Sequence, residues 1–433
     1  MTRLFEIPRA TRLTGEVRLP GDKSISHRTL LLGALADGPC RVRHLGRGWD
    51  IAATVGVLRA LGVEVAYHGE TEARIHGPGG PSRLQEPSRI LNCLNSGTTT
   101  RLLAGVLAGA PVYSVLTGDE SLRSRPMRRI VEPLRAMGAS IDGREGGARL
   151  PLAIRGRERL QTIDWTLEVA SAQAKSALLL AGLSADGETT VREPRPTRDH
   201  TERLLRLMDI PVRSDGGAHT IPGGIIPRPF DLVIPGDPSS AAFIAVAACC
   251  LPGSQVAFRD LALNPCRIAY LDILRRMGAN IGVGPSPNDD WEPRGDVTVG
   301  AAALRGITIE PEEVPALIDE LPVLAVAMAV AEGPSEVRGA SELRRKESDR
   351  IAGMASELRG FGVEITELED GFRIAGGKRL TAPAVSDAHG DHRLAMSLAV
   401  AGLVADGTTR LRGAEHIDVS FPDFERLIRT LAR

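Results

Sequence analysis

Six times the chain repeats one plan: a small or acidic residue, then a helix-length run dense in Ala and Leu. The copies are GDKSISHRTLLLGALADG (21–38), NSGTTTRLLAGVLAGAP (95–111), ASAQAKSALLLAGLSADG (170–187), GDPSSAAFIAVAACCLPG (236–253), DELPVLAVAMAVAEG (319–333) and GDHRLAMSLAVAGLVADG (390–407). Their starting points lie roughly 65 to 85 residues apart, a longer period than simple helical solenoids use. After each apolar helix comes a strand, as in TTVREP or TTRLRGA. A more polar helix follows with a stereotyped ending: VLRALGVEV, PLRAMGASI, ILRRMGANI, ELRGFGVEI. The glycine in that ending lets the chain reverse into paired strands, VEVAYHG and EARIHG in the first copy. A helix apolar nearly all round belongs inside, and one with a polar face belongs outside.

The sixth copy stops at its second helix, FERLIRTLAR, and the first nineteen residues, MTRLFEIPRATRLTGEVRL, look like its missing strands. Pro-Gly-Asp occurs at 20–22 and again at 235–237. The expected organisation is therefore two domains of three units each, one spanning 20–235 and one joining 1–19 to 236–433. The two crossings, near Leu19 and Pro235, would act as a hinge.

Composition removes several function classes. The formal net charge of −1 argues against nucleic-acid or membrane-surface binding, and 3% aromatics leaves few platforms for stacking bases. The longest apolar runs, around 241–251 and 321–331, fall short of the roughly 20 residues that span a bilayer. The N-terminus lacks the apolar core of a signal peptide. Cys40, Cys93, Cys249, Cys250 and Cys266 form no CxxC pair, so reduced core thiols in a cytoplasmic protein are expected.

Against that neutral background, cations collect where they are unwelcome. A helix N-terminus carries partial positive charge, so a cation there costs roughly 0.3–1 kcal/mol. Yet Lys23 and Arg28 lie in or near the first turns of unit one, Arg101 near that of unit two, and Arg393 opens unit six. An anion bound among them would make the arrangement favourable. The second Pro-Gly-Asp copy has Pro238 where the first has Lys23, so its role is structural. Arg123, Arg125, Arg128, Arg129, Arg195, Arg198, Arg344, Arg345, Lys346 and Arg350 fill irregular stretches between units. Arg128, Arg129, Arg344 and Arg345 read as a solvated face; Lys23, Arg125, Lys346, Arg350 and Arg393 read as ligand-binding. An acidic, phosphorylated small molecule is the implied partner. Asp319, Asp237 and Asp391 read as helix N-caps, and Glu347 neighbours Lys346. His389 and His392 have no evident third ligand, so no metal site is expected. NSGTTTR matches neither a dinucleotide fingerprint nor a P-loop.

The motifs LPGDKSISHR, LNSGTTTRLL, SRPM, SAQAKSALLLAGL, TRDHTERLL, IDELPVLAVAMAVAEG, ELRRKESDRI, GDHRLAMS and SFPDFERL resemble, in order, those of the 5-enolpyruvylshikimate-3-phosphate synthases. The resemblance implies an α/β fold: a two-domain inverse α/β barrel, each domain three βαβαββ units in quasi-threefold arrangement. It implies transfer of enolpyruvate from phosphoenolpyruvate to shikimate 3-phosphate by addition and elimination, without cofactor or metal, by a monomer. By resemblance, Lys23, Ser24, Arg28, Ser171, Ala172, Gln173, Arg198, Asp319 and Lys346 bind shikimate 3-phosphate. Lys23, Gly97, Arg125, Lys346, Arg350 and Arg393 bind phosphoenolpyruvate. Asp319 is the implied base, and Glu347 with Lys23 the implied source of the proton for the methylene carbon. Ala172 and Thr197 stand where another branch of the family has serine and tyrosine. Val419 stands where some members have lysine, and Arg345 where an apolar residue is common. Gly97 with Thr98 matches members that bind glyphosate; sensitivity depends on pocket shape and stays open.

Rival readings are a UDP-N-acetylglucosamine enolpyruvyl transferase and a non-catalytic phospho-ligand-binding repeat protein. The first shares the fold but carries a loop cysteine, and GDESLRSRPM has none. The second would have lost Asp319 and Glu347, and both are present. An RNA cyclase of related fold is disfavoured by the scarcity of aromatics and the near-zero charge.

Overall fold

A computed structural model describes residues 3–284 and 291–433, so Met1 and Thr2 lie outside the described residues. The chain divides into two compact units: a continuous one, Gly21–Ile234, and a split one, Met1–Pro20 with Pro235–Arg433.

Each unit is built around three apolar helices. In the continuous unit they are Lys23–Gly33, Gly97–Ala108 and Ala172–Gly182. In the split unit they are Pro238–Cys250, Leu321–Val330 and His392–Val404, which contact one another pairwise. Five of the six open on a side-chain cap. Asp22, Ser96, Ser171, Asp237 and Asp391 each accept a hydrogen bond from a backbone N–H of the first turn, a contact usually worth about 1 kcal/mol. In the fourth helix every residue from Pro238 to Cys249 is buried, as a helix without a polar face must be. Helices Gly97–Ala108 and Ala172–Gly182 approach so closely that a Cβ on Gly105 would lie 2.0 Å from the Ala177 carbonyl oxygen. Only glycine fits there.

Polar helices and sheets cover these cores. The stereotyped helix endings have a concrete meaning. Gly62, Gly138, Gly278 and Gly362 adopt φ of +81°, +98°, +104° and +83°, a region costly for residues with a Cβ. In unit three Asp209 takes that place at φ +62°. In four of the units the arginine of that ending folds over the turn. Arg59 Nη2 donates to Val65 O at 2.6 Å, Arg135 Nε to Ile141 O at 2.9 Å, Arg206 Nε to Val212 O at 3.1 Å and Arg359 Nε to Ile365 O at 3.2 Å. Each clamp ties the helix to a backbone carbonyl six residues on.

There are six small sheets among the described residues, and they share one pattern: a parallel first pair, then antiparallel neighbours. The second runs Leu91–Asn92, Tyr113–Thr117, Arg149–Arg155, Ser140–Gly143. Strand Leu4–Pro8 pairs antiparallel with Thr408–Arg412, Leu4 opposite Arg412, and so does supply a closing strand of the sixth unit. Strand Thr14–Val17 does not. It pairs in parallel with Gln255–Ala262 in the fourth sheet, which corrects the expectation that all nineteen N-terminal residues complete the sixth unit. Its counterpart Asp231–Val233 pairs in parallel with Asp37–Arg43 in the first sheet. Each chain crossing therefore leaves its leading strand behind in the unit it departs, where a strand edge would otherwise go unpaired.

Candidate active site

In the continuous unit, Lys23 is the first residue of a helix, a position that disfavours positive charge. Asp50 offsets it, with Oδ2 3.1 Å from Nζ. One turn on, Arg28 is buried and every arm of its guanidinium is held. Nε donates to Thr201 Oγ1 at 2.7 Å, Nη1 to Ser24 O at 3.0 Å and Nη2 to Ser176 Oγ at 2.8 Å. Arg198 Nη1 donates to Ser24 Oγ at 3.2 Å. Ser171 caps the third helix, and Ala172 is that helix's first residue. Gln173 Oε1 accepts from Arg101 Nη1 at 2.6 Å, and its Nε2 donates to Thr98 Oγ1 at 2.9 Å. Arg125 is buried, bonded to Asn95 and, at 3.3 Å, to Ser121 Oγ. A Cβ on Gly97 would lie 3.0 Å from Arg101 Nη1 and 3.2 Å from Arg125 Nη1. The helix start is thus pressed between two guanidiniums. Ser24, Arg28 and Arg198 form one hydrogen-bonded set, while Gln173 and Arg125 meet the start of the second helix through Thr98, Arg101 and Gly97.

His27, which only the first Pro-Gly-Asp copy carries, is not part of that set. Its Nδ1 lies 2.7 Å from Thr54 Oγ1, which lies 2.7 Å from Thr99 Oγ1. Burial, with Lys23 and Arg28 nearby, holds His27 well below the usual imidazole range. It is a neutral strut between units one and two.

The split unit holds the second set, with Arg350 at its hub. Arg350 is buried. Its Nε lies 2.8 Å from Asp391 Oδ2, Nη2 2.6 Å from Glu347 Oε2 and Nη1 3.4 Å from Asp319 Oδ1. Burial opposes its charge, but Asp391, Glu347 and Asp319 outweigh that and push Arg350 further above the ordinary guanidinium range. Lys346 Nζ and Arg393 Nη2 each stand 4.0 Å from Asp319, and Arg393 also lies 3.5 Å from Glu320. The guanidinium of Arg393 covers the Phe243 ring at 5.8 Å.

Several expectations change. Asp319 is not the N-cap: the fifth helix starts at Leu321 with Glu320 at the cap, and the Asp319 carboxylate faces Lys346, Arg350 and Arg393. Asp391 does cap its helix but also binds Arg350. Arg344 is no solvated arginine, since it donates to Asp349, Glu367 and the carbonyls of Leu368 and Glu369. Arg345 is exposed at the end of the turn Ser341–Arg345, where a charge is harmless. Val419 is buried. His389 bonds Glu357 at 2.9 Å. The cysteines are free thiols; burial pushes Cys40 and Cys93 up to about 11 and Cys249 to about 12, so none of these three is a ready nucleophile.

Sequence reasoning overlooked Asp50, Glu320 and Lys175. Lys175 had a legible signal. It is the lone cation in SAQAKSALLLAG, a run too apolar to leave a charge unpaired.

A sequence model of the EPSP synthase (3-phosphoshikimate 1-carboxyvinyltransferase) family matches residues 7–428. The 3-phosphoshikimate 1-carboxyvinyltransferase of Geobacter metallireducens is 48% identical over 428 residues, 99% of either chain. That of Gloeobacter violaceus is 50% identical over 431 residues, again 99% of both. The solved EPSP synthase of Acinetobacter baumannii superposes with a TM-score of 0.87 at 40% identity, covering 100% of this chain and 98% of that one. The enolpyruvyl transferase NikO of Streptomyces tendae has the same fold, with a TM-score of 0.81 at 21% identity over 99% and 97% of the two chains. The sixfold α/β architecture is thus the inverse α/β barrel of these enzymes, and with sequence identity sustained over nearly its full length the chain belongs to the EPSP synthase family.

Proposed function

We propose that the chain transfers the enolpyruvyl group of phosphoenolpyruvate to the 5-hydroxyl of shikimate 3-phosphate and releases phosphate. The observation that carries this reading is the Asp319 carboxylate, 17% exposed and ringed by Lys346, Arg350 and Arg393. A base among cations suits chemistry on anions: substrate charge takes over the cations and leaves the carboxylate to accept a proton.

Shikimate 3-phosphate is held by Lys23, Ser24, Arg28, Ser171, Ala172, Gln173 and Arg198, with Asp319 and Lys346 at the reacting end. Phosphoenolpyruvate is held by Lys23, Gly97, Arg125, Lys346, Arg350 and Arg393. Asp319 takes the proton of the attacking hydroxyl as oxygen bonds to C2 of phosphoenolpyruvate. C3 gains a proton from Glu347 with Lys23, and the tetrahedral adduct then loses a proton from C3 and expels phosphate. Glu347 accepts from Arg350 through Oε2 at 2.6 Å, a contact that favours the carboxylate form, so its acid role draws on substrate negative charge to offset that cation. We take the protein to be a cytoplasmic monomer that needs no cofactor or metal.

The test is phosphate release with both substrates. Turnover that requires both supports the reading. Binding without turnover supports a binding protein, and turnover with UDP-N-acetylglucosamine supports the rival transferase.

A further inference from the structure

Behind the residues assigned to shikimate 3-phosphate lies a buried ionic cluster that the chemistry does not use. Lys175, on the third helix, has a fully buried side chain. Its Nζ lies 3.0 Å from Glu193 Oε1 and 2.8 Å from Glu202 Oε1, with the Thr197 carbonyl at 3.5 Å. His219 Nε2 stands 3.0 Å from Glu193 Oε1; its Nδ1 faces Ser214 Oγ at 3.0 Å and Glu202 Oε1 at 3.5 Å. The Thr197 hydroxyl donates to Glu193. Burial opposes the charge on both Lys175 and Glu193. Glu202 and Glu193 together still raise Lys175 above the ordinary lysine range, and the His219 hydrogen bond, with Lys175 and Thr197, holds Glu193 below the carboxylate range.

What the cluster holds is the segment 193–199, which has neither helix nor strand and carries Arg198. Lys175 grips that segment at its start through Glu193 and in its middle through Thr197 O. Through Glu202 it grips the helix that follows, His200–Leu207. The neighbours of these gripping residues then hold Arg28. Ser176, next to Lys175, accepts from Arg28 Nη2 at 2.8 Å, and Thr201, next to Glu202, accepts from Nε at 2.7 Å. Ser176 and Thr201 lie 2.7 Å apart. Lys175 thus adjoins one side-chain anchor of Arg28, bonds the neighbour of the other, and ties down the loop that carries Arg198.

We propose that Lys175 is a positioning residue for shikimate 3-phosphate: it orders the 193–202 segment in advance, so that binding does not bear the cost of ordering it. The proposal rests on the assignment of Arg28 and Arg198 to that substrate. Without the ammonium, two buried carboxylates face each other and the loop is released.

The experiment measures kcat and both KM values, with thermal midpoints, for Lys175→Met, Lys175→Met/Glu202→Gln and Arg198→Ala. The double substitution removes one carboxylate along with the cation and so preserves the fold should the single one fail. In both Lys175 variants the KM for shikimate 3-phosphate is expected to rise by about tenfold or more, as when charge-assisted contacts lose their preorganisation. The KM for phosphoenolpyruvate should stay within about twofold and kcat within about threefold, a split that general destabilisation would not produce. A folded double variant with unchanged KM for shikimate 3-phosphate overturns the proposal, as does a fall in kcat with a comparable rise in both KM values. Arg198→Ala separates the two ideas. If it raises that KM and the Lys175 variants do not, only the positioning role is wrong; if it leaves the KM unchanged, the substrate assignment fails and the proposal falls with it.

Discussion

Lys175 and Arg350 are each buried among carboxylates, and they are buried differently. Around Lys175 the ring is closed: Glu193 and Glu202 are 3% and 1% exposed. Around Arg350 it is graded, from Asp391 at 0% to Glu347 at 16% and Asp319 at 17%. A cation shut in by its partners can only hold elements together. A cation whose partners reach water on one side can exchange them for a ligand. Burying an ion pair is a poor route to stability in itself, because desolvation offsets most of the attraction. The closed ring therefore makes sense as an ordering device, and the open ring as a reactive one.

Substitutions can break that contrast, and the largest effect should come from the open ring. Asp319→Asn is expected to lower turnover by roughly 10²–10⁴-fold, the range for a lost general base, while affinity for shikimate 3-phosphate stays within about tenfold. Rapid-quench turnover and equilibrium titration measure the two; undiminished turnover would remove Asp319 from the chemistry. Arg350→Lys keeps the charge but cannot reach Asp391, Glu347 and Asp319 together. Turnover should fall by roughly 10–100-fold, with a rise in KM for phosphoenolpyruvate, and steady-state kinetics would expose an unexpectedly benign change.

A smaller effect is expected at Gly97. An added methyl meets Arg101 and Arg125 at 3.0 and 3.2 Å, so Gly97→Ala should raise the KM for phosphoenolpyruvate by about three- to tenfold through displaced guanidiniums. An unchanged KM would mean that the two arginines yield freely. The smallest effect belongs to the closed ring. Glu193 is held below its ordinary value of 4.5, so it binds protons more readily unfolded than folded. Its stabilisation is present above about pH 4.5 and lost as pH falls through the lowered value. Lys175, raised above 10.5, loses its contribution only as pH climbs beyond that range. Glu193→Gln should therefore flatten the denaturation midpoint between pH 3 and 5, measured in urea; a curve as steep as the parent's would show that other carboxylates dominate acid unfolding.

Much of the architecture was legible in the residues because it is local. A cap such as Asp22 or Asp391 acts within three residues, and a glycine such as Gly62 turns the chain where it stands. The Arg59 clamp reaches only six residues ahead. Repetition multiplied those short-range signals until two threefold cores were implied. Asp319 was misread because a carboxylate ahead of a helix has the same local signature whether it caps backbone N–H groups or faces cations.

The sequence alone determined where most of the buried helices begin and that Lys23 and Arg393 stand in the first turns of two of them. Only the tertiary structure decided which carboxylate answers which cation. Arg28 and Thr201 are 173 residues apart, and Arg350 and Asp391 are 41 apart. Capping and turn preferences are set by backbone geometry a few bonds away, whereas a charge pair depends on a separation of a few ångströms that no local rule encodes.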